Sequence, residues 1–201
     1  MEPEDLVQRL REQRLATLSL ADQIKEDRWH EPALPGGRSI HDLLAHLLAW
    51  DEWAVAVFEL SQLRETLPPA LTRPAADRDA YNEKAVSRYQ GISRDDLLSA
   101  LQAASPRVLR SAAAGGGRDW LTRRIAGLQP WPPVSASIAT AAPAQERPSP
   151  STEPPRAPSV RSILRLLANH EAEHDQEIMQ AYGIQPQLDQ FKPQTGEQSG
   201  A

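Results

Sequence analysis

None of the chain's 201 residues is cysteine, which excludes disulfides, thiolate nucleophiles and cysteine-ligated zinc or iron–sulfur centres together. Any metal must therefore be held by His, Asp or Glu. Aromatic residues make up only 5%, and β-branched residues are sparse beside Ala, Leu, Arg, Glu and Gln, a balance that favours helices over sheets. Long apolar runs are missing as well. The most apolar stretch, Leu43 to Trp50, is interrupted by His46 and falls far short of the ~20 residues that cross a bilayer. Positive charge is not in excess: the formal net charge of -5 argues against a nucleic-acid backbone as partner. The first residues show no basic region followed by an apolar run, so no secretory leader is expected and the cytoplasm is the expected location.

What remains is a globular composition, 40% apolar and 24% charged, of a length that one core accommodates. A single domain over 1–192 is expected, with a polar tail at 193–201. Residues 4 to about 26 carry Leu6, Leu10, Leu15, Leu18, Leu20 and Ile24 at amphipathic-helix spacing. After a Pro/Gly loop at 35–37, Ser39 with Asp42 forms a capping-box pattern. It opens a second helix reaching about Thr66 through Ile40, Leu43, Leu44, Leu47, Trp50, Ala54, Val57 and Phe58. A shorter helix is predicted over Ala75 to Tyr89. Ser93 with Asp96 opens a third main helix towards Gly115, with Pro106 expected to kink it. Nine prolines then fall between Pro130 and Pro158, marking 128–158 as a surface insertion with little to bury. The last helix is predicted from Ser159 to Tyr182, stopped by Gly183 and Pro186. Four long amphipathic helices without an alternating strand predict an all-α four-helix bundle with an extra short helix. The long links allow the helices to depart from alternating order.

Chemistry concentrates in the histidines. The inward stripe of the last helix reads Val160, Ile163, Leu167, His170, His174, Ile178, Ala181, so two imidazoles stand where a bundle would place leucine. A spacing of four puts them one turn apart on one face, able to reach a single divalent ion at metal–nitrogen distances near ~2.0–2.1 Å. The third donor is His46, midway along the second helix with Leu43, Trp50 and Trp53 on its own face. Three buried imidazoles would each need a hydrogen-bond partner, and a shared metal removes that need. His30 and His41 are read as solvated, His41 being a reserve ligand.

Residues 170–174 also spell H-E-x-x-H, in which Glu171 would be the base of a zinc protease. No Gly-x-x-His follows and no edge strand is predicted to hold a peptide, so Glu171 is read as a flank or surface carboxylate. Glu177 and Asp42 are better placed to orient an imidazole or move protons.

The segments Leu-Pro-Gly-Gly-Arg-Ser-Ile-His-Asp-Leu-Leu-Ala-His-Leu-Leu-Ala-Trp-Asp-Glu-Trp at 34–53, Tyr81-Asn82-Glu83, and Asn-His-Glu-Ala-Glu-His at 169–174 resemble the DinB/YfiT-like superfamily of metal-dependent enzymes. The resemblance implies helices in up-down-down-up order. It also implies a metal, often zinc or nickel, bound by His46, His170 and His174. Similar proteins include thiol-dependent S-transferases and a mycothiol-dependent maleylpyruvate isomerase, and many have no assigned reaction. The proline-rich insertion departs from the family pattern. The expected function is a metal-dependent enzyme that activates water or a low-molecular-weight thiol, of hydrolase or S-transferase type. Trp50, Trp53, Tyr81 and Asn82 are the expected wall of a small-molecule pocket. Two other readings are a non-catalytic bundle that sequesters a small compound and a plain dimerising bundle. Three imidazoles alone suit zinc, nickel, copper or iron.

Overall fold

A computed structural model describes residues 3–72, 78–114, 119–128 and 157–188. Among them there are six α-helices and no β-strand, two isolated bridges aside: α1 (Pro3–Asp22), α2 (Ile40–Gln62), α3 (Pro69–Thr72), α4 (Arg78–Arg88), α5 (Arg94–Ala113) and α6 (Val160–Tyr182). Among the described residues no helix is long and apolar enough to cross a membrane.

Local chemistry sets the ends. Ser39 accepts from the Asp42 backbone N–H while the Asp42 carboxylate accepts from Ser39 N, so the capping box that opens α2 is complete. Ser159 and Ser162 make the equivalent pair for α6, and Gly183 closes that helix in the left-handed conformation at φ 66°. At α5 only half of the predicted box forms: Ser93 accepts from Asp96 N, and its hydroxyl donates to the Asp96 carboxylate. One expectation is corrected. α1 stops at Asp22 rather than near 26, because a separate 3-10 turn at Glu26–Arg28 bends the chain so that Trp29 is buried. Pro106 lies inside α5, as the sequence places it, and the helix is unbroken from Arg94 to Ala113.

Side-chain pairings fix the directions. Arg9 meets Asn169 and Thr17 meets Asp175, so α1 and α6 run parallel. Arg38 meets Glu177 while His46 meets His170, so α2 opposes α6. Arg14 links Asp51 to the Leu101 carbonyl, and Ser111 donates to Glu59 further along, so α2 and α5 share a direction. The order is up-down-down-up. α2 packs chiefly on α5 and α1 on α6, with α1–α5 and α2–α6 closing the ring. The extra helix α4 lies on α2, where the Tyr81 hydroxyl donates to the Ala49 carbonyl at 3.1 Å.

The apolar core is divided along the bundle axis. One cluster gathers Leu6, Trp53, Phe58, Val108 and Ile163; the other gathers Leu20, Ile40, Leu44, Leu101 and Ile178. Each fully buried large side chain contributes roughly 1.5–3 kcal/mol of transfer free energy. Between the two clusters lies a polar belt holding the histidines and a group of buried ions. The insertion expected at 128–158 lies outside the described residues except for Leu128, Ala157 and Pro158, as does the tail at 193–201. Its two ends are tied together: Ile125 N donates to the Pro158 carbonyl at 2.9 Å and Val160 N donates to the Arg123 carbonyl at 3.0 Å.

Candidate metal centre

The stripe geometry of two helices carries three imidazoles to one point. His46, in the second turn of α2, and His170 and His174, one turn apart on α6, project into the α2–α6 seam. The Nε2 atoms of His46 and His170 stand 2.9 Å apart, and those of His170 and His174 stand 3.0 Å apart. His46 and His174 are 4% and 7% exposed, while His170 is half-buried. One ring nitrogen from each residue falls within 4.8 Å of the other two.

An imidazole nitrogen has a single in-plane site, either an N–H or a lone pair. His170 Nε2 therefore cannot satisfy both neighbours with one hydrogen bond. Three lone pairs directed at one cation can all be used together, and neutral nitrogen donors suit zinc and nickel. The donor set fits a divalent ion.

The tautomer of His174 is set from outside the cluster. Its Nδ1 lies 2.9 Å from Glu177 Oε2, which also accepts from Arg38 at 2.8 Å, so the ring proton belongs on Nδ1 and Nε2 is left bare. Burial opposes the charge on Glu177. The His174 hydrogen bond, with the Arg38 guanidinium behind it, outweighs that and holds the carboxyl below its ordinary range. Asp42 is occupied otherwise: its Oδ2 accepts from both the backbone N and the hydroxyl of Ser39.

Three of the four predicted wall residues, Trp50, Trp53 and Tyr81, meet one another. Trp50 presents an edge to His46 at 6.2 Å and to His170 at 5.9 Å between ring centroids, and it packs on Trp53 at 5.4 Å and Tyr81 at 4.9 Å. Trp53 Nε1 donates to the Leu71 carbonyl. Burial pushes the Tyr81 phenol up to about 12, so it stays protonated and keeps its bond to Ala49. Asn82 keeps a buried side-chain oxygen without a hydrogen-bond partner among the described residues. A separate surface cleft of about 500 Å³, between the start of α1 and Trp120, is lined by Glu4, Val7, Gln8, Arg11 and Trp120 and by no residue of the histidine cluster.

Two sequence expectations are overturned here. His41 is buried rather than solvated, because the turn ending at Trp29 folds back on the first turn of α2 and His41 N donates to the Trp29 carbonyl; exposed His30 packs on its ring at 4.9 Å. Glu171 is not a surface carboxylate: at 3% exposure it faces α1 and pairs with Arg14 Nε at 2.7 Å.

Glu171 belongs to a buried network that sequence reasoning missed. Arg14 also reaches Asp51 Oδ2 at 2.7 Å and the Leu101 carbonyl at 3.1 Å. The Thr17 hydroxyl lies 2.8 Å from both Glu171 Oε1 and Asp175 Oδ1, and Gln13 donates to Asp175. One hydroxyl has one proton, and the Gln13 carbonyl lies 3.1 Å from it as well, so for both carboxyl contacts to be hydrogen bonds at least one of the two carboxyls must itself donate. In agreement, burial pushes Asp175 up to about 7 against the hydrogen bonds from Thr17 and Gln13. Burial likewise raises Asp51 to about 6 despite its Arg14 partner. A sequence signal was present. Leu164, Ala168, Glu171 and Asp175 step by four, three and four, a second inward stripe whose last two members are acidic.

A family model described as the DinB superfamily matches residues 9–178, which spans all four bundle helices and the three histidines. No curated protein and no solved structure matches the chain.

Proposed function

The chain belongs to the DinB superfamily, and from that premise we propose that it is a metal-dependent enzyme acting on a small electrophilic molecule. The observation that carries this reading is the convergence of the His46, His170 and His174 Nε2 atoms inside the bundle. When bound there, a divalent ion, zinc or nickel, supplies Lewis acidity, lowering the pKa of a coordinated water or low-molecular-weight thiol.

The chain's own residues do the rest. His46, His170 and His174 would hold the ion through their Nε2 atoms. Glu177 keeps the proton of His174 on Nδ1 and stabilises positive charge on that ring. Arg38 fixes Glu177 in turn. Trp50 and Tyr81 close one side of the cluster with apolar ring surface, and the side-chain oxygen of Asn82 offers an acceptor to a substrate donor. Asp42 serves the N-terminus of α2, which leaves Glu177 as the carboxylate for proton handling.

Elemental analysis of protein purified without an affinity tag tests the reading. Wild-type chain should carry a stoichiometric divalent ion and His170→Ala should carry none; full occupancy in the variant sinks the ligand assignment. Assaying the loaded protein on a chromogenic electrophile, with and without added low-molecular-weight thiol, then separates S-transferase from hydrolase chemistry.

A further inference from the structure

We infer that Arg14 is a positioning residue for the histidine cluster, holding α6 at the rotation that points His170 and His174 towards His46; this rests on the metal-site reading above. The extensive helix contacts join α1 to α6 and α2 to α5, whereas the histidines meet across the α2–α6 seam between those pairs. Something must hold the two pairs in step. Arg14 makes that connection: from α1 it reaches Glu171 on α6 with Nε at 2.7 Å, Asp51 on α2 at 2.7 Å and the Leu101 carbonyl on α5 at 3.1 Å.

The pin sits next to the ligands. Glu171 follows His170 and Asp175 follows His174 in sequence, so the network grips α6 about 100° round from the imidazoles and at the same height. Magnitudes show how much this matters. Rotating a helix by about 10° moves a side-chain tip some ~6 Å from its axis by roughly 1 Å, whereas metal–ligand distances tolerate only about 0.2 Å. Stability alone gives no reason for the arrangement, because a buried ion triad is often no more stabilising than an apolar replacement of equal volume. A planar guanidinium with several donors in a rigid fork is what fixes three elements at once, and an ammonium cannot copy it.

The test compares wild type, Arg14→Lys and a core variant away from the network, Val108→Ala, in titrations of the metal-free protein with zinc and in cobalt-loaded absorption spectra. Arg14→Lys should weaken zinc binding by roughly 10–100-fold and change the cobalt ligand-field bands. Val108→Ala should leave both at wild-type values, although it lowers the denaturation midpoint. If Arg14→Lys does not fold, Arg14→Met combined with Asp51→Asn and Glu171→Gln, which removes both carboxylates that pair with Arg14, takes its place. Wild-type affinity and spectra in the Arg14 variant, or equal weakening in Val108→Ala, would overturn the inference. Failure of wild type to bind zinc would instead sink the metal reading. Positioning is then decided by the imidazole ¹⁵N signals of the metal-free protein, which the Arg14 variant should shift and Val108→Ala should not.

Discussion

His46 and His170 are 124 positions apart in the chain, yet their Nε2 atoms approach to 2.9 Å across the α2–α6 seam. So close an approach of two imidazole nitrogens, with a third at 3.0 Å from His170, is stable only if the lone pairs share a proton or a cation. His46→Leu should therefore lower divalent-metal affinity by at least ~100-fold while the fold persists, since leucine suits an inward bundle position. Calorimetric titration of both proteins checks this. Saturating zinc at about 100 times its Kd should stabilise wild type by ~2.7 kcal/mol, a gain that chelator removes and the variant lacks.

Glu177 acts on the site through His174. Replacing it by leucine leaves the His174 tautomer undetermined and Arg38 without its carboxylate. Metal affinity should fall roughly 10–100-fold, and Glu177→Gln, whose amide oxygen can still accept from Nδ1, should lose less. A ranking in which glutamine and leucine behave alike would show that the carboxylate does not orient the ring.

Asp51 makes stability depend on pH in an unusual sense. Its folded value of about 6 lies above the ordinary 3.8, so the folded state retains a proton that the unfolded chain has released between those values. Its contribution is full below about pH 4 and is lost as pH rises through about 6, a change of up to about 3 kcal/mol. Asp51→Asn, which resembles the protonated acid, should gain on wild type in urea denaturation as pH climbs from 4 to 8. A difference that stays constant with pH would show that Asp51 titrates normally.

The α2 capping box should be separable from the metal site. Ser39→Ala removes the bonds made by the serine hydroxyl but keeps the one that the backbone N of residue 39 donates to Asp42; it should cost about 1 kcal/mol of unfolding free energy, leaving zinc affinity within twofold of wild type.

Much of this architecture could be read from residue spacing. The His46, His170 and His174 stripe positions were visible because imidazoles replaced leucines in a period of three and four, and Ser39, Ser159 and Gly183 marked helix ends by local chemistry alone. What sequence could not show was long-range compensation. Glu171 looks like a solvated charge until Arg14, 157 positions earlier, is seen to meet it, and His41 looks exposed until Trp29 folds over it. Charge burial depends on partners that no local window contains. Asp42 illustrates the converse. Its spacing to His46 suggests a role at the histidines, and its Oδ2 also accepts from the serine three residues earlier.

The hydrogen bonds from Ile125 to Pro158 and from Val160 to Arg123 make a small clasp between the residues on either side of 129–156. Because the two stems are fastened to each other, the helices do not register how many residues run between them, and loop-closure entropy rises only logarithmically with that number. A descendant of this protein could gain or shed dozens of residues there, or accept a foreign domain, without disturbing a single ring in the seam between α2 and α6.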